Sequence, residues 1–107
     1  MIDPNECIEF IWENVTLFAK AKGELAQLET FKSSLKALKM QQSTQTSIAA
    51  KEMDAYASDE YQTHCKGIGE ATENVELLKW KLECAKMRWE TWRTEQANAR
   101  QVDKMLK

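Results

Sequence analysis

The chain has 107 residues, a mass of 12.4 kDa and a formal net charge of -2. That length allows one domain and excludes most multi-domain enzymes. Three glycines and one proline exclude a turn-rich all-β fold. With 30% charged and 43% hydrophobic residues, the composition is that of a folded, helix-rich chain.

The first helix is expected over about residues 4–14. Asp3 can cap it, Pro4 suits its first position, and Glu6 has the spacing of a capping box. Ile8, Ile11, Trp12 and Val15 follow at helical spacing, and Phe10, Leu17 and Phe18 make the segment apolar nearly all round. Asn14 to Thr16 reads as a break, because Asn can cap a new helix and Val-Thr weakens the old one. A second helix is expected over about 16–55. Leu17, Ala21, Leu28, Phe31, Leu35 and Leu38 keep a seven-residue register, which Glu24 interrupts and Gly23 softens. The pattern fades over the polar residues 41–47, which either remain helical as a solvated face or fray.

Ala57-Ser58-Asp59-Glu60 is the expected turn, with Ser58 as the cap of a third helix over about 59–105. Gly67 and Gly69 soften its start. Ile68, Val75, Leu82 and Trp89 lie seven apart, as do Ala71, Leu78, Ala85, Trp92 and Ala99. This continuous three-four seam predicts a coiled-coil-like packing face. The fold class expected is therefore all-α: a short N-terminal helix followed by a long antiparallel helical hairpin, in a single helical domain spanning 1–107.

A second stripe, Leu77, Trp80, Cys84 and Met87, falls at outward heptad positions. Something must cover it: the first helix, a second copy or a foreign partner. A hairpin of this size also has poor surface-to-volume economy, so a homodimer is expected, with these four residues in self-association.

Charge is unevenly distributed. Residues 52–76 carry a net charge of -6 and residues 79–107 a net charge of +4, with all three arginines in the latter stretch. Two causes fit: complementation of the helix macrodipole, or a basic docking surface for phosphate or an acidic partner. Trp80, Met87, Arg88, Arg93 and Arg100 are the expected partner-binding residues, because exposed Trp beside Arg is enriched at interaction hot spots. Trp89 and Trp92 sit on the seam and read as core.

Catalytic and metal chemistry are not expected. His64 stands beside Cys65, but neighbouring residues on a helix diverge by about 100° and do not converge on a metal. His64 falls on the extrapolated seam, as a partly buried or capping histidine. Cys7, Cys65 and Cys84 form no paired motif and read as free thiols. Gly67-Ile68-Gly69 lacks the context of a phosphate loop. The expectation is a non-enzyme without cofactor, signal peptide or membrane span.

The opening Met1-Ile2-Asp3-Pro4-Asn5-Glu6-Cys7-Ile8-Glu9-Phe10-Ile11 resembles the start of a family of small helical proteins of tailed phages and prophages. Leu78-Lys79-Trp80-Lys81-Leu82 is similar to that family's Leu-Arg-Trp element. Residues 88–100, from Arg88-Trp89 through Trp92-Arg93 to Ala99-Arg100, resemble its closing signature, and Ala57-Ser58-Asp59-Glu60-Tyr61 its central turn. Here Ser58-Asp59 replaces the usual His-Pro, and Thr16 stands where Pro is common. Such proteins are often encoded near early recombination genes. The resemblance implies the cytoplasm of an infected bacterial host and no catalytic residue. The function expected is non-catalytic binding that inhibits a bacterial nucleic-acid-processing complex, such as a CRISPR effector or a defence or recombination nuclease. The partner is then a bacterial protein or protein–nucleic-acid complex. Two other readings stand beside it: a DNA-binding accessory of phage recombination that uses the basic C-terminal third, binding nucleic acid weakly, and a structural coiled-coil subunit.

Overall fold

The computed structural model describes residues 3–106; Met1 and Ile2 of the opening motif lie outside them. The fold is all-α, with α1 (Pro4–Gln42), α2 (Ile48–Ala57) and α3 (Asp59–Leu106) and no strand among the described residues. It is a coiled-coil-like helical hairpin, as the sequence leads one to expect.

Asp3 starts α1: its side chain accepts the Asn5 N–H at 2.9 Å, and its carbonyl accepts the Cys7 N–H at 3.3 Å. The break expected at 14–16 is absent. The segment expected as helix 4–14 is the first stretch of α1, which continues to Gln42. The Asn14 amide donates to the Phe10 carbonyl at 2.8 Å and lies half-buried on the helix's inner side. A satisfied side chain on the packing face outweighs the weak local propensity of Asn-Val-Thr.

The helix expected over 16–55 is instead interrupted at residues 43–47. Ser47 caps α2 through Oγ, which accepts the Ala50 N–H at 3.1 Å. Ser43 Oγ donates to Asp54 Oδ2 at 2.6 Å and accepts the Gln45 N–H at 3.2 Å. Hydroxyls that compete with backbone bonds end one helix here and start the next.

The turn expected at Ala57 to Glu60 is present and turns on Ser58. Its N–H and Oγ both donate to the Ala55 carbonyl, at 3.3 and 2.7 Å, and Oγ accepts the Tyr61 N–H at 3.3 Å. Ser58 therefore closes α2 and opens α3.

The chain divides into two compact units. One joins the start of α1, through Ala19, to α3 from Glu76 onward. Its seam is Cys7, Ile11, Asn14 and Phe18 facing Leu78, Leu82, Ala85, Trp89 and Trp92, all buried or half-buried. The seam expected to reach Ala99 stops at Trp92; every described residue beyond it is exposed. Only Cys7 and Ala85 are buried among this unit's described residues.

The other unit is Lys20–Val75. Ala21, Leu25, Leu28 and Leu35 line α1's inner side, and Tyr61, His64, Ile68, Ala71 and Val75 line that of α3. Lys39 pairs with Glu60 at 3.1 Å, while Leu28 lies against His64, so the helices run antiparallel. Lys36 ties α2 in, 3.6 Å from Glu52 and 4.7 Å above the Tyr56 ring.

The expected α1 register is half replaced. Ala21, Leu28 and Leu35 face inward, but Leu17, Phe31 and Leu38 are about half exposed. Phe18 and Leu25 take the inner places, so Glu24 points outward and interrupts nothing. A three-four alternation that includes Cys7, Ile11 and Asn14 extends the seam through the position where a break was expected.

Candidate interaction surface

The unit containing both chain ends carries an open groove of about 590 Å³. Its floor includes the two buried small residues, Cys7 and Ala85, one from each helix. Small side chains let the helices approach closely, which leaves the larger neighbours splayed at the rim. Phe10 of α1 and Leu77 and Trp80 of α3 supply the apolar walls. Trp80 is 57% exposed and Leu77 55%. The α1 wall adds Asp3 and Glu6 to the lining and the α3 wall adds Lys81 and Arg88. One wall carries acids and the other bases.

Of the four residues expected in self-association, Leu77, Trp80 and Cys84 line this groove. Met87 lies outside it, 50% exposed beside a shallower depression formed with Glu90, Thr91, Thr94 and Glu95. The stripe is not covered by the start of α1, which packs on the seam instead.

Of the expected partner-binding residues, Trp80 and Arg88 belong to the groove. Arg93 lies elsewhere, its guanidinium 4.9 Å from the centre of the half-buried Trp89 ring. That contact holds a cation over an aromatic face and presents it to solvent. Arg100 is exposed on the last turns of α3. Lys79 adds a second cation, 5.7 Å from the Trp80 ring centre.

The α1 half of the site has a sequence signal within the first helix expected. Asp3, Glu6, Cys7 and Phe10 recur at three- and four-residue spacing on one side of a single helix. Ile8, Trp12 and Val15 form a separate outward stripe, with Trp12 79% exposed.

His64 sits in the seam of the Lys20–Val75 unit. Its Nε2 is 2.6 Å from the Leu28 carbonyl oxygen and its ring meets Phe31 edge-on at 5.6 Å. A carbonyl only accepts, so Nε2 carries the proton. This is the partly buried histidine that the register implies. Cys7, Cys65 and Cys84 are free thiols, respectively buried, half-buried and exposed. Among the described residues no group of three or more His, Cys, Asp or Glu side chains could hold a metal ion. No helix among them is long and apolar enough to cross a membrane.

Two charged groups are shifted at the α1–α2–α3 junction. Lys36 is raised above its ordinary value by its hydrogen bond to Tyr56 and by Glu52. Glu60 is held below its ordinary value by its own backbone N–H in the first turn of α3 and by Lys39.

Compared with known proteins, the chain matches no family model, no curated protein and no solved structure.

Proposed function

We propose that the chain is a non-catalytic binding protein that inhibits a bacterial nucleic-acid-processing complex, acting in the cytoplasm of an infected host. The observation that carries a binding role is the mismatch between core and surface. Only Cys7 and Ala85 are buried among the described residues of the unit that joins the chain ends, while Trp12, Leu77, Trp80 and Met87 are half exposed or more. Large apolar side chains left in water next to cations are what protein interfaces use as anchors. The class of target rests on the phage-family resemblance. Met87, on one side of α3, and Arg93 and Arg100, on another, are the residues assigned to foreign docking; all three are exposed and lie outside the groove.

The test is capture of tagged wild type and the Met87→Lys/Arg93→Glu variant from nuclease-treated bacterial lysate, followed by assay of the captured enzyme. The reading expects a stoichiometric nuclease or effector subunit, inhibited by the wild type and released by the variant. Equal capture by both proteins would contradict the assigned surface.

A second reading, a DNA-binding accessory, draws on the Arg93–Trp89 stack and exposed Arg100 and Lys104. It expects single-strand binding that weakens steeply with salt.

A further inference from the structure

The groove between the start of α1 and the middle of α3 has two walls of opposite sign. The α1 wall carries Asp3 and Glu6 with Phe10, and the α3 wall carries Lys81 and Arg88 with Leu77 and Trp80. Among the described residues none of these four charged side chains forms an ion pair. A surface with one acidic and one basic wall, each bearing apolar side chains, is complementary to itself after a half-turn.

We propose that the groove is the interface of a two-fold homodimer in which α1 of each copy lies against α3 of the other. The charge pattern selects this geometry. Two face-to-face pairings have two-fold symmetry. With the dyad running across the helices, α1 meets α1 of the partner, so acids face acids and bases face bases. With the dyad running along the helices, α1 meets α3 of the partner, so Glu6 and Asp3 face the basic wall of the second copy. Only the second arrangement sets opposite charges against each other beside apolar side chains, where a desolvated surrounding strengthens them. It also gives Leu77, Trp80 and Phe10 the apolar neighbours they lack within one chain. The result is a four-helix layer built from two hairpins. Met87, Arg93 and Arg100 lie outside the groove and remain available to a foreign partner, so dimerisation and that binding fail or hold separately.

The test uses the full-length chain in four forms: wild type, Glu6→Arg, Arg88→Glu, and an equimolar mixture of the two variants. Sedimentation equilibrium measures association, and circular dichroism checks that each form is helical. The wild type is expected to dimerise. Each variant alone places like charges opposite each other twice per dimer and is expected to weaken association about tenfold. In the mixed dimer the arginine introduced by one variant faces the glutamate introduced by the other, and the second contact keeps its native Glu6 and Arg88. The mixture is therefore expected to recover wild-type affinity as a heterodimer. Leu77→Lys gives a second reading that does not depend on these charges, and is expected to be monomeric. A monomeric wild type would overturn the proposal, as would variants that dimerise as well as the wild type, or a mixture that associates no better than either variant alone.

Discussion

Ser58 is one residue doing two jobs, which makes its effect measurable. It ends α2 through the Ala55 carbonyl and starts α3 through the Tyr61 N–H. Ser58→Ala is expected to cost about 1 kcal/mol in urea unfolding, and Ser58→Gly less. Glu60 tests the neighbouring charges. Its carboxyl is held low by its backbone N–H and by Lys39. A group whose pKa falls on folding stabilises the protein above its unfolded pKa, and that contribution disappears as pH falls through its folded value. Glu60→Gln is therefore expected to lower the melting temperature at neutral pH, with the gap to wild type closing as pH drops through and below the carboxylate range. A gap independent of pH would mean that charge is not the cause. The half-buried Asn14 is polar at an inner position, with its amide tied to the Phe10 carbonyl. Asn14→Leu is expected to raise the melting temperature, because it places an apolar side chain on the seam.

At the scale of elements, the glycines of α1 and α3 offer the cleanest substitutions. A Cβ added at Gly23 or Gly69 would meet nothing within 4 Å, and both residues are exposed within helices. Gly69→Ala and Gly23→Ala are each expected to stabilise the chain by about 0.5–1 kcal/mol, read by thermal or urea unfolding. The same elements show how far sequence reading reaches. The α3 seam is legible from Ile68 to Trp92 because seven-residue spacing repeats there, and Ser58 is legible because capping is local. The junction at Asn14 is not, because its polar side chain is satisfied within the helix and local propensity yields to packing. Leu17 and Phe18 illustrate the same difficulty in α1, where apolar residues on adjacent positions allow two registers. Only the opposite helix decides that Phe18 turns inward. In the groove, the α3 wall is legible from the outward stripe, whereas the α1 wall requires knowing which side of a segment apolar nearly all round meets α3.

For the whole molecule, the governing fact is how little large apolar surface a two-helix arrangement can hide. The buried set among the described residues is Cys7, Ala21, Ala55, Tyr61, Val75 and Ala85, mostly small side chains. Trp89 and Trp92 contribute to the half-buried seam and Trp80 to the groove, whereas Trp12 contributes to neither. Small buried residues and large exposed ones together are the pattern on which the proposed association rests. Trp80→Ala is accordingly expected to leave the helical circular dichroism unchanged while weakening association, since the side chain is 57% exposed in a single copy. The most direct measurement is the solution mass of the wild-type chain by sedimentation equilibrium over a concentration series. The account predicts a mass of twice 12.4 kDa that falls toward 12.4 kDa only on dilution. A helical protein that stays at 12.4 kDa at every concentration would contradict it.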